Sequence, residues 1–241
     1  MLRSLIWIAL SLFAGGGCGA LPFTPDISAT GPVFPLSPGS RWVYRVRNPA
    51  GEIATLMAQV KGQRYLPSQN TVAAVVEETG GVPGEPTFDS SSDAVAYYRK
   101  EGFVFRAPWL HDDGSNVPEE MVLPEDPSRE QVWNGSYHLF ASPGAGAMYR
   151  FQSASRIAST SDTVSVPAGR FKRCLRIETT LAATVGAGTK PITITHYYTE
   201  WYAPGIGLVK AESSVDASGT KRRVATADLL SYEEGEPDGR Q

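Results

Sequence analysis

An alternation of side chains with a period of two constrains this chain more than any other feature. Trp42, Tyr44 and Val46 alternate with Val43, Arg45 and Arg47. Leu175, Ile177, Thr179 and Leu181 alternate with Arg176, Glu178 and Thr180. The same rhythm runs through Ile192, Ile194, His196 and Tyr198, and through the interval from Val224 to Leu230. Successive side chains of a strand point to opposite faces, so such runs predict antiparallel strands with one face in a core and one toward water. Pro83-Gly84, Pro143-Gly144, Pro167-Ala168-Gly169 and Pro204-Gly205 punctuate the runs, and 18 prolines and 24 glycines leave little room for helices. Val72 to Glu78 is short and valine-rich, which favours a strand over a helical turn. Val95 to Arg99 and Phe103 to Arg106 read as a hairpin around Lys100-Glu101-Gly102. The sum is about ten to twelve short strands, an all-β domain.

The N-terminus reads differently. Arg3 is followed by an apolar run from Leu5 to Ala14, three glycines and Cys18. That order predicts a secretory signal helix, cleaved before a lipid-attachment cysteine, so that the mature chain would be held on a membrane through lipidated Cys18. The run is too short to span a bilayer, which takes about 20 apolar residues. Cleavage after Ala20 is the alternative, because Cys18-Gly19-Ala20 also fits a small-x-small site and would release a secreted protein. Gly19, rather than Asp, follows the cysteine, which points to the outer membrane of a Gram-negative envelope, facing the periplasm. The segments expected are a lipoprotein signal peptide over 1–17, a flexible Gly/Pro/Ser-rich tether over 18–33, a single β-rich domain over 34–232 and a disordered charged tail over 233–241.

The chain has two cysteines, Cys18 and Cys174, so a mature domain would lack a disulfide and must rest on its core. Cys174 fits a small buried apolar side chain better than a nucleophile. Net charge is −3, with no basic run longer than Lys221-Arg222-Arg223, which argues against nucleic acid as a partner.

No catalytic motif is present: no nucleophile elbow, paired metal-binding histidines, Walker loop or Cys-x-x-Cys. Gly186 to Lys190 lacks phosphate-loop spacing and reads as a hairpin turn. His111, His138 and His196 lie apart without ligand spacing, so neither a metal nor a cofactor is expected. The loop from His111 to Asn116 is rich in oxygen ligands, but its spacing is not that of an EF-hand. His196 with Glu200, and Asp112, are the candidates an enzyme would need, and a hydrogen-bonded core histidine explains His196 more simply. Aromatic residues carry the stronger signal. Tyr97, Tyr98, Phe103, Phe105 and Trp109 cluster early, and Tyr197, Tyr198, Trp201 and Tyr202 cluster late. On a curved sheet one set would line an apolar cavity, with Tyr97, Phe103, Phe105, His196, Tyr198 and Trp201 as the candidate lining. Pro204 and Gly205 fit the centre of a type II turn, and Gly207 fits a bulge before Leu208 restarts a strand.

Three segments together carry a resemblance: Phe34 to Tyr44 (FPLSPGSRWVY), Val166 to Cys174 (VPAGRFKRC) and Trp201 to Lys210 (WYAPGIGLVK). In this order they resemble a broad group of uncharacterised bacterial lipoproteins, labelled as domains of unknown function or TapB-like, over residues 33 to 232. The resemblance implies a curved antiparallel sheet, in the form of a half-open barrel akin to the carriers that move lipids and lipoproteins across the periplasm. It implies no catalytic residues. The function expected is a non-catalytic, membrane-tethered domain that binds an apolar ligand or an envelope protein. The alternative is an accessory lipoprotein of an envelope or secretion assembly with no small-molecule ligand.

Overall fold

A computed structural model describes residues 26–27, 30–80, 94–108, 119–128, 131–140, 148–185, 192–216 and 219–235. Cys18, the signal segment, Trp109, His111, Asp112, the turn at 186–190 and the last six residues lie outside the described residues.

The alternating runs form strands. After the short β1 (Asp26–Ile27) come β2 (Arg41–Arg47), β3 (Ile53–Leu66), β4 (Thr71–Gly80), β5 (Ala94–Lys100), β6 (Phe103–Pro108) and β7 (Glu120–Pro124). The second half contributes β8 (Val132–Phe140), β9 (Met148–Val166), β10 (Gly169–Val185), β11 (Ile192–Ala203), β12 (Gly207–Asp216) and β13 (Lys221–Glu233). Among the described residues the helical content is one 3-10 turn, Pro67–Gln69. The β5–β6 hairpin turns at Glu101-Gly102, with φ of 52° and 78°, the two positive dihedrals whose twist matches the flanking strands.

From β2 to β13 nearly every strand pairs antiparallel with its successor, and β13 pairs back onto β2. The chain is thus an up-and-down meander of twelve strands closed through its own ends. The ladder missing from the circle is β7 to β8. There a side chain spans the seam: the Trp133 indole N–H on β8 donates to the Met121 carbonyl on β7 at 3.2 Å, and Trp133 packs on Phe103 at a ring separation of 6.1 Å. The sheet is a nearly closed, split barrel.

Its interior is the core. Trp42, Tyr44, Val60, Val76, Val104, Leu123, Trp133, Ile157, Ile177, Val209 and Leu229 are all buried in one cluster, each large side chain contributing about 1.5–3 kcal/mol by leaving water. The alternating tryptophan and tyrosine of β2 also reach over β13 to β12. Trp42 Nε1 donates to the Ile206 carbonyl at 2.6 Å and Tyr44 Oη to the Leu208 carbonyl at 3.0 Å. Outside β4, β5 and β6 a second cluster of Ala73, Ala96, Tyr98, Phe105 and Ala107 is also buried.

The turn before β12 has Gly205 at φ 72°, and Ile206 N–H donates to the Ala203 carbonyl at 3.1 Å. These are the dihedral and the hydrogen bond of a type II turn with Pro204 at its first corner. The bulge beside it falls after Gly207, at Val209: Tyr202 faces Leu208 while Trp201 faces Lys210, leaving Val209 as the extra residue.

Two expected boundaries move. Part of the 18–33 segment is held by the barrel: Asp26 and Ile27 pair parallel with Arg170 and Phe171, and Lys172 Nζ sits 2.6 Å from Asp26. The Lys172 hydrogen bond, with the charges of Lys172 and Arg170, holds the Asp26 carboxyl below its ordinary range. Farther on, Gly205 N–H donates to the Pro32 carbonyl at 2.8 Å. At the other end β13 runs to Glu233, and Gly235 is buried with its N–H on Ser40 Oγ at 3.1 Å. A Cβ on Gly235 would lie 2.1 Å from the Pro38 carbonyl oxygen, so that close approach requires glycine.

Candidate functional site

Packing a twelve-strand circle with ordinary side chains leaves space. A cavity of about 210 Å³ lies inside the barrel, room for several waters or a small ligand. Its apolar wall includes Phe34, Trp42, Tyr44, Leu56, Val76 and Leu208, and small residues, Ala58, Ala211, Ser213, Ala225 and Ala227, keep the space open. Phe34, from the segment ahead of β2, meets rings from three strands: Trp42 at 6.4 Å, Tyr97 at 5.0 Å and Tyr202 at 6.1 Å.

The remaining wall is polar and partly desolvated. Arg106 on β6 points inward, its Nε 2.9 Å and Nη2 2.8 Å from the same oxygen of Glu120 on β7. The Glu120 charge raises the guanidinium pKa well above its ordinary value despite burial. Glu200 on β11 accepts a hydrogen bond from Tyr202 Oη at 3.0 Å, and burial raises its carboxyl above the ordinary range, with Arg106 pulling the other way. Burial pushes the Tyr97 and Tyr198 phenols up to about 12. Glu78 on β4 and Glu212 on β12 also line the space, Glu212 with Lys210 Nζ 2.7 Å away. Four carboxyl groups and one guanidinium therefore share the wall with four tyrosine rings.

The structure divides the residues singled out by sequence. Tyr97 and Tyr198 line the cavity. His196 lies on the Tyr198 face, buried and stacked on that ring at 6.2 Å with an interplanar angle of 9°, but outside the cavity lining. Burial lowers its pKa, so the ring is neutral at neutral pH. Glu200 is four residues farther along the same strand, about 13 Å at 3.3 Å per residue, so the two do not form an acid–base pair.

Phe105 and Trp201 do not line the cavity. Phe105 faces outward and stacks on Tyr98 at 5.7 Å; Trp201 faces outward too, its indole donating to Asp162 at 3.1 Å with Lys210 Nζ 4.9 Å from the ring centroid. The reason is the alternation itself. Arg106 and Tyr202 occupy the inward positions next to them, so their neighbours must turn out. Phe103 sits at the seam against Trp133, not in the cavity wall. Cys174 is fully buried, its thiol pushed up to about 11 by burial, an environment that suppresses the reactive thiolate.

Sequence reasoning did not identify Arg106, Glu120, Glu78, Tyr44 or Tyr202 as wall residues. A signal existed for Arg106: it is in phase with Val104, an evident core residue. Charge outweighed that phase, because a strand arginine ordinarily marks the wet face.

Comparison with known proteins agrees with the fold. A family model described as DUF3108-like matches residues 111–221, which run from just before β7 to the start of β13. The crystal structure of a candidate lipoprotein from Parabacteroides distasonis is similar at a TM-score of 0.59 and 17% identity, over 86% of this chain and 100% of that one. A candidate exported protein with a YmcC-like fold from Bacteroides fragilis is similar at a TM-score of 0.51 and 18% identity, over 83% of this chain and 98% of that one. At these identities the likeness is one of fold. A search of curated proteins finds no match.

Proposed function

We propose that this protein is a lipoprotein of the cell envelope whose split barrel binds a small amphipathic ligand without transforming it. The observation that carries this reading is the interior cavity, walled on one side by aromatic and aliphatic side chains and on the other by part-buried polar groups. A mostly apolar pocket with a few convergent polar groups is the usual form of a small-molecule site. The N-terminal signal and Cys18 supply the tether, and the lipoprotein and exported-protein likenesses support an envelope location. Within the envelope we place the protein on the outer membrane, facing the periplasm.

One feature favours the accessory role as a second reading. The facing edges of β7 and β8 lack a common ladder, and unpaired strand edges are where another chain can add a strand.

Native mass spectrometry of the protein, exported to a periplasm and purified without detergent, separates the two. A ligand-binding barrel carries an adduct of small-molecule mass. A uniformly bare mass, unchanged after incubation with envelope lipid extracts, would leave the accessory role. The anchor has its own test. Cys18→Ala is expected to move the protein from the membrane to the soluble fraction with its fold intact, and retention on the membrane would remove the lipid tether.

A further inference from the structure

Resting on the cavity as a binding site, we infer that its ligand carries a cationic nitrogen, a protonated amine or guanidinium, on an apolar body. The argument is one of charge and position. Among the cavity-lining residues Arg106 is the basic one; two of its three nitrogens are directed at Glu120, and the guanidinium also hydrogen-bonds Tyr97. Glu78, Glu200 and Glu212 line the same space, so acidic groups outnumber basic ones around a volume only partly open to water. An anionic head group, whether a carboxylate or a phosphate, would compete with Glu120 and Tyr97 for Arg106 and sit among like charges, which is unfavourable in a partly desolvated site. A cation meets the opposite situation. It can donate charge-assisted hydrogen bonds to Glu200 and Glu78, and the rings of Tyr97 and Tyr198 provide electron-rich faces nearby. The apolar wall of Trp42, Leu56 and Val76 then receives the hydrocarbon. The cavity's volume of about 210 Å³ limits the buried part to a small body.

The test is calorimetric titration of the exported protein with octylamine, octanol and octanoate, which share a chain and differ in head-group charge. Octylamine is expected to bind about tenfold or more tighter than octanol, the worth of one charge-assisted hydrogen bond, and octanoate most weakly. Glu200→Gln should abolish the amine's advantage while leaving octanol unchanged. Should that variant fail to fold, Glu78→Gln is read in the same way. Equal affinities for the three probes would overturn the cationic assignment and leave the binding cavity standing. Tightest binding of octanoate would overturn it in favour of an anion at Arg106. Failure of all three to bind would overturn the cavity reading and the assignment together.

Discussion

At the scale of single residues, the interior of this barrel joins groups that ordinarily belong on opposite sides of a sheet. Arg106 is tolerated inside because Glu120 faces it across the β6–β7 ladder, in direct register. Removing either partner would leave a part-buried charge without its partner, at a cost of about 1–2 kcal/mol once solvent screening is allowed for. Glu200 has a weaker complement: a hydrogen bond from Tyr202 and the more distant charge of Arg106 set against burial. Arg106, Glu78, Glu120, Glu212, Tyr44, Tyr97, Tyr198 and Tyr202 are the titratable groups that share its cavity. Its folded pKa is raised, whereas in the unfolded chain it returns to about 4.3. Between those two values the folded state holds more protons than the unfolded one, so this group's contribution to stability falls as pH rises through the interval. Glu200→Gln has no proton to lose. The variant should match the parent below about pH 4 and exceed it at about pH 8, as read by urea unfolding at both pH values. A variant that loses stability relative to the parent as pH rises would reverse the assigned sign. Stability given up at a buried carboxyl is consistent with a group kept for binding.

At the scale of elements, what sequence made legible follows from which strands have one wet face. β2, β10 and β11 alternate cleanly and are recognisable for that reason, and so are the turns at Pro204-Gly205 and Glu101-Gly102. β9 was not recognised. Ser153, Ser155, Ser159, Thr160, Ser161 and Ser165 fall on both of its faces, and without an apolar period the run looks like a loop. Inward and outward members of aromatic pairs were equally obscure. Tyr97-Tyr98 and Trp201-Tyr202 are rings at adjacent positions, so the pattern alone cannot say which ring turns in; the ladders decide it. The outer cluster of Ala73, Ala96, Tyr98, Phe105 and Ala107 adds to the difficulty, since β4, β5 and β6 are buried on both faces. The seam has the opposite character. It joins strands by one indole hydrogen bond and one ring contact instead of a ladder. Trp133→Phe keeps a benzene ring but removes the donor and part of the buried indole, so a loss of about 1–3 kcal/mol is expected. Amide exchange on β7 and β8 should quicken more than exchange on β10 and β11. Uniform quickening would mean that the seam opens only when the whole barrel unfolds.

At the scale of the whole molecule, the up-and-down order explains how a chain without a described disulfide or helical layer can hold an internal space. Each strand pairs locally, the two ends of the meander meet at β13 and β2, and the N-terminal segment adds Phe34 to the interior. The cavity persists because alanine and serine stand where larger residues would fill it, notably at Ala211, the cross-strand neighbour of both Glu200 and Ala227. This makes the central claim open to a direct measurement, fluorescence titration of an environment-sensitive apolar dye into the parent protein and into Ala211→Phe. The variant places a ring in the cavity, at a cost to stability of about 1–3 kcal/mol at most if the space accepts it. Saturable binding to the parent, weakened about tenfold or more in a folded Ala211→Phe, is the expected result. Equal affinities in the two proteins would place the dye on the outer surface and contradict an interior binding site.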